Sequence, residues 1–174
     1  EILIVDGGST DRTVDIICDF ARRDTRVRLI DASPVYSGWN GKAWGLQVGL
    51  QDSSASSRWV VTIDADVSVE PGGIENVVGF ADANKIPFLS IACQQRVDTP
   101  GLSLMHPSML TTLVYRFGIP GQVATTLGEV QSNGQFAIYD RVALIGAGGF
   151  QIARDSICED VTVARHLFLA GYDV

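Results

Sequence analysis

Trp59-Val-Val-Thr-Ile63-Asp64-Ala65-Asp66 joins an apolar, β-branched run to two carboxylates one residue apart. A run of that composition reads as a buried strand. Side chains alternate along an extended chain, so both acids are expected to leave the strand on the same side. Two like charges converging there repel each other, and a hard divalent cation with oxygen ligands is a natural occupant between them. Asp-x-Asp also arises by chance at solvated strand ends, so its meaning rests on the sequence around it.

Outward from this strand, strand-like and helix-like segments alternate. The pattern predicts strands at 2–6, 27–31, 59–64 and 88–95, with helices at 11–23, 41–51 and 71–84 between them. Strand, helix and strand in short succession is the sign of a parallel sheet covered by helices, so the fold class is α/β. Ser9-Thr10-Asp11 offers N-cap oxygens to helix 11–23, whose Val14, Ile17 and Ala21 form one stripe. Pro71 is expected in the first turn of helix 71–84, where a missing N–H costs little.

The 174 residues, 46% hydrophobic and 19% charged, suffice for one globular domain with a sizeable core. A net charge of −7 argues against a nucleic-acid partner, which would need a basic face. Cys18, Cys93 and Cys158 have no metal or redox spacing and read as buried free thiols in a reducing compartment. No run is long enough to span a bilayer and no signal peptide opens the chain, so the piece reads as soluble. Because it opens on a strand and stops at the approach to another, a fragment of a longer protein is expected.

Three further groups of residues carry chemistry. Val5-Asp6-Gly7-Gly8-Ser9 puts an acid and a tight turn at the carboxyl end of the first strand, where ligands of parallel α/β sheets bind. Asp6 can accept from a ligand or from its own turn. Gly38-Trp39-Asn40-Gly41-Lys42 places Lys42 near a helix N-terminus, a favourable spot for phosphate or simply a solvated cation. Cys158-Glu159-Asp160 opens a C-terminal helix: the acids either complement its dipole or supply a general base in Asp160. His166 shares Glu159's helical face, which permits a metal ligand, although a lone His is more commonly packed or exposed.

Taken together and in order, Val-Asp-Gly-Gly-Ser-Thr-Asp, Asn-Gly-Lys, Asp-Ala-Asp and Glu-Asp resemble the catalytic domain of family 2 inverting glycosyltransferases. Gln131-Ser-Asn-Gly-Gln-Phe136, followed by Arg141 to Phe150, is similar to that family's acceptor-side strand and the helix and Gly-Gly turn after it. The resemblance implies a GT-A fold with a mainly parallel sheet flanked by helices, lacking the first strand and helix. It implies a single catalytic domain whose residues 1–95 bind the nucleotide sugar and whose residues 96–174 face the acceptor. Asp6, with Gly7 and Ser9, would contact the nucleotide base, Lys42 the nucleotide or its diphosphate, and Asp64 the ribose or base. Asp66 would hold Mg2+ or Mn2+, Asp160 would be the base with Glu159 beside it, and Asn133, Gly134 and Gln135 would border the acceptor.

The donor implied is a nucleotide sugar, UDP-linked by expectation, and the acceptor a lipid or glycan hydroxyl. Departures are visible: family members often carry two consecutive acids where this chain has Asp6-Gly7, and no Gln-x-x-Arg-Trp follows. Gly38-Trp-Asn-Gly-Lys42 and the apolar segment Leu102 to Pro120 are similar to membrane-associated members, including the hopanoid- and carotenoid-associated transferases. They imply work at the cytoplasmic face of a membrane. Read without the resemblance, the segment from Ser103 to Phe117 is either a core helix or an amphipathic surface element, closed by a Gly118–Gly121 turn. Two other functions compete: a non-catalytic nucleotide-sugar or carbohydrate-binding module, which has no need of Asp160, and a nucleotidyltransferase, which would want a basic Gly-rich loop.

Overall fold

The computed structural model describes residues 1–97, 99–117 and 121–174. Its strands are β1 (Ile2–Asp6), β2 (Val27–Asp31), β3 (Trp59–Ile63), β4 (Phe88–Ser90) and β5 (Phe136–Asp140). The helices are α1 (Thr13–Arg23), α2 (Gly41–Asp52), α3 (Gly73–Asn84), α4 (Pro100–Phe117), α5 (Arg141–Gly146) and α6 (Glu159–Leu169), with a 3-10 turn at Phe150–Ala153.

β1 and β2 pair in parallel, as the β–α–β alternation predicts. β3 and β4 also run in the same direction, but they do not touch: β5 lies antiparallel between them. Its Phe136, Ala137, Ile138 and Tyr139 are buried on both faces, which suits a central strand. Sequence alternation reveals the parallel members and not this inserted one. β4 ends at Ser90 rather than residue 95, because its partner β5 begins at Phe136, leaving only Ile91 N–H to bond Phe136 O beyond the ladder.

α2 joins the two sheets. Its Gly45 and Gly49 lie on Val5 of β1, where a Cβ on Gly49 would come within 3.0 Å of the valine, so the helix approaches closely only through glycine. Leu50 then enters the core beneath Tyr139, Phe150, Leu144 and Leu167, while Gln47 Oε1 accepts from the Phe150 N–H at 3.1 Å.

Three helix details differ from expectation. α1 starts at Thr13, with Asp11 accepting from the Thr13 N–H at 2.9 Å while Ser9 bonds Asp6 instead; Ile17 is its buried position, flanked by half-buried Val14 and Ala21. α3 starts at Gly73 behind a left-handed Gly72, so Pro71 precedes the helix rather than occupying its first turn. α4 keeps Leu102, Met105, Leu110 and Val114 exposed, against the core reading for those positions; residues 118–120 of the expected turn lie outside the described residues. No described helix is long and apolar enough to cross a membrane. The three cysteines are free, but none is buried as expected: Cys18 and Cys93 are half-buried, and Cys158 is exposed at the N-cap position of α6.

Candidate active site

Asp6 closes β1 as a nearly buried carboxylate already engaged by its own turn. Its oxygens accept from Gly8 N–H at 2.9 Å, Ser9 N–H at 2.8 Å and the Ser9 hydroxyl at 2.5 Å. The Ser9 hydroxyl, with the two backbone donors, holds the carboxyl below the usual aspartate range. Gly8 permits the turn at φ 101°. The turn-acid reading of Asp6 is therefore realised, and a ligand would use its remaining lone pair.

The Asp64 and Asp66 carboxylates do not share a strand face. β3 stops at Ile63, and Val67 N–H bonds Asp64 O at 3.0 Å, so the two acids sit in a turn where the two-residue alternation no longer applies. Asp64 turns inward, its N–H fixed to Gln135 O at 2.8 Å. Asp66 is exposed.

The cation between converging acids is Lys42. Its Nζ lies 2.8 and 3.0 Å from the two oxygens of Asp64 and 3.0 Å from Glu159 Oε1, with Gly134 O at 3.5 Å. Asn40 sets this up by capping α2 through the Lys42 N–H at 2.9 Å. Partial burial works against the ammonium charge, and the two carboxylates more than offset it, so the Lys42 pKa is raised.

Asp160 follows Glu159 in the first turn of α6. Burial raises its pKa, and the neighbouring Glu159 charge adds to that, while the Val161 and Gly134 N–H groups and Lys42 pull the other way. A small cavity of about 10 Å³, roughly one water in size, adjoins it and is lined by Thr62, Tyr139, Phe150 and both acids. Asn133, Gly134 and Gln135 form a tight turn beside it: Gln135 N–H bonds Asn133 Oδ1 at 3.0 Å, and Asn133 is tied through backbone N–H and C=O to the Ser90 hydroxyl. Residues from α2, β3, the 133–135 turn and α6 thus meet at one point, the carboxyl end of β3.

The glycosyl transferase family 2 model matches residues 1–147, most of the chain. The chain belongs to glycosyl transferase family 2. Among solved structures, it superposes on the mannosyltransferase PcManGT from Pyrobaculum calidifontis, in complex with GDP-Man and Mn2+, with a TM-score of 0.67 at 22% identity. The match covers 99% of this chain and 44% of that one, so the chain spans less than half the length of that structure. The fold is GT-A. No curated protein sequence matches.

For a family 2 chain the metal is the next test. Among the described residues no three His, Cys, Asp or Glu side chains converge as a metal cage, and His166 is exposed at the far end of α6. With Asp64 taken by Lys42, Asp66 is the one acid of the triplet left to solvent. A single hard carboxylate suits an Mg2+ or Mn2+ ion whose other ligands are substrate phosphates and water. One exposed carboxylate is the donor set such an ion would need from the protein.

Two groups escaped sequence reading. Tyr139 reaches the site on β5, which inserts between β3 and β4, and Thr62 and Ser90 lie on those two flanking strands. Trp44 donates its indole N–H to Ala32 O at 2.6 Å and meets Tyr36 and Trp39 edge-on at 4.8 and 5.2 Å. That cluster braces the loop leading into Lys42, and its signal was Trp39 and Trp44 flanking the Asn-Gly-Lys motif.

Proposed function

We propose that this chain is the catalytic part of an inverting, metal-dependent glycosyltransferase, moving a sugar from a nucleotide diphosphate to the hydroxyl of a lipid or glycan. The observation that carries this reading is the convergence at the carboxyl end of β3 of a partly buried Asp160, lining a water-sized cavity, with the Lys42 cation that its neighbour Glu159 and Asp64 hold. A binding module has no use for a carboxyl whose environment favours taking up a proton.

In this reading Asp160 removes the acceptor hydroxyl proton, and the oxygen attacks the anomeric carbon from the face opposite the diphosphate. The anomeric carbon to phosphate-oxygen bond breaks, and its electron pair leaves with the nucleoside diphosphate. Lys42 stabilises that negative charge, a phosphate oxygen replacing the long contact to Gly134 O or the second Asp64 oxygen on its ammonium. A cation held by Asp66 would add Lewis-acid stabilisation of the leaving diphosphate. Asp64 and the Asp6 turn border the nucleoside, with Gly7 and Ser9 shaping the turn. Asn133, Gly134 and Gln135 border the acceptor.

In this reading residues 1–95 serve the donor and 96–174 the acceptor within one domain, in keeping with β5 of the second part pairing with β3 and β4 of the first. Exposed Leu102, Met105, Leu110 and Val114 on α4 support a lipid acceptor and attachment to the cytoplasmic face of a membrane. The family supports a nucleotide-sugar donor; the sequence reading favours a UDP-sugar, and the GDP-Man bound in the solved neighbour makes a GDP-sugar the second donor to test.

Thermal stabilisation by a panel of UDP- and GDP-sugars, with and without Mn2+, tests the proposal. A metal-dependent rise with one donor is the expected result. Asp160→Asn should keep that rise and lose transfer; retained turnover would refute the base.

A further inference from the structure

Glu159 is the least exposed carboxylate of the site and lines, with Asp160, the water-sized cavity beside the base. Its side chain is 8% exposed, and its partner is Lys42, 117 residues away in sequence and 3.0 Å away in space. The same ammonium holds Asp64, so one Lys42 side chain ties the end of β3 to the start of α6. Asp160 is the next residue on α6, and its orientation follows from where that first turn is pinned. An ammonium has three N–H donors, and Lys42 Nζ has both Asp64 oxygens and Glu159 Oε1 within 3.0 Å and Gly134 O at 3.5 Å. Lys42 is thus held by both acids, and a phosphate oxygen would reach it by displacing the second Asp64 oxygen or Gly134 O.

Resting on the transferase reading, we propose that Glu159 is a positioning residue that acts only through Lys42, forming with Asp64 a three-element clamp that aims Asp160 into the site and Lys42 at the leaving diphosphate. It neither donates nor accepts the acceptor proton. Removing one partner of a buried pair strands the other, whereas removing both does not. The two residues must consequently behave as a unit in mutation.

A double-mutant cycle on turnover in the full chain, using the donor found by the thermal screen, tests this. Glu159→Gln alone is expected to lower kcat on the order of a hundredfold through misplacement of the base. In a Lys42→Met background the same change is expected to have no further effect. Multiplying losses would overturn the clamp and give Glu159 its own chemical role; so would wild-type kcat in Glu159→Gln.

A second readout needs no substrate. The Asp160 carboxyl faces Lys42 on α2, Glu159 on its own helix, Tyr139 on β5 and, through Lys42, Asp64 on β3. Followed by carbon NMR, its titration should move down in Glu159→Gln and up in Lys42→Met. An unmoved titration in both variants would mean that neither charge is held beside Asp160 and would overturn the proposal; the kcat cycle, not this shift, separates positioning from a purely structural pair. Should the single variant not fold, the Lys42→Met/Glu159→Gln double variant, which leaves no buried Glu159 charge without its cation, is compared with Lys42→Met instead. Calorimetry with UDP and GDP in the presence of Mn2+ separates the levels of failure. Absent binding to the wild-type chain overturns the transferase reading and the clamp with it; intact binding with additive mutants overturns the clamp alone.

Discussion

Gly134 lies against Asp160 with no room between them: a Cβ on the glycine would come 3.2 Å from Asp160 Cβ and equally close to Lys42 Nζ. Backbone approach at this point lets the 133–135 turn pass beneath the base. Gly134→Ala needs no unusual φ, so the substitution tests space alone. It should cost about 1–3 kcal/mol of stability, in the range of overpacking, and push Asp160 or Lys42 off its position. Turnover should fall on the order of a hundredfold, the effect of an ångström-scale misplacement. Wild-type kcat in a folded Gly134→Ala protein would show that the turn does not set the base.

Asp66 should separate metal from nucleotide. The exposed carboxylate has solvent on the side where a diphosphate would lie, whereas Asp64 is spent on Lys42. A nucleoside diphosphate at a hundredfold excess over its Kd stabilises a protein by about 2.7 kcal/mol. With Asp66→Ala, the Mn2+-dependent part of that gain should vanish while the protein's own melting temperature stays unchanged, since an exposed, unpaired side chain contributes little to the fold. Unchanged calorimetric affinity for UDP or GDP with Mn2+ would sink the metal assignment.

The pH dependence follows from two carboxylates shifted in opposite directions. Asp160 is raised by burial above the ordinary 3.8, so activity needing its ionised form should switch on only as pH rises past that value. Its contribution to stability has the same origin and the reverse effect: a raised acid favours the fold while protonated and loses that advantage as pH rises through its folded pKa. Asp6, lowered by Ser9 and Gly8, stabilises at neutral pH and ceases to do so as pH falls through its depressed pKa. Activity should therefore be lost on acidification before the fold is, which parallel pH series of kcat and of circular dichroism would show. Coincident loss would mean that unfolding, not Asp160, sets the acid limb.

Much of this site was legible because its chemistry sits at strand ends and helix starts. Asp6, Lys42, Asp64 and Asp160 each follow a periodic segment, so composition locates them along the chain. The resemblance marked an acceptor-side strand near Gln131–Phe136, but periodicity does not say what a strand pairs with, so the insertion of β5 between β3 and β4, which brings Tyr139 to the site, was not legible. The Asp64–Asp66 geometry was misread for a related reason: alternation holds only while the strand lasts, and β3 stops one residue before the first acid. Lys42 was legible as a phosphate-facing cation but not as the partner of Glu159, because no local rule connects positions that far apart.

Phe150 offers a way to separate the fold from the environment of the base. Its ring is 1% exposed, stands edge-on to Tyr139 at 5.6 Å, and lines the water-sized cavity next to Asp160. Phe150→Ala should cost about 3–5 kcal/mol, a large share of the roughly 5–15 kcal/mol that holds a typical domain folded. The vacated volume would open into the existing cavity and admit water beside a carboxyl whose pKa is raised chiefly by burial. The acid limb of activity should then move down toward an ordinary aspartate. Leu144→Ala is the control: Leu144 is fully buried in the same core and does not line that cavity, so it should lower the melting temperature comparably and leave the acid limb in place. Equal shifts in both variants would mean that loosening the core, rather than wetting Asp160, moves the profile, and burial would then lose its place as the cause of the raised pKa.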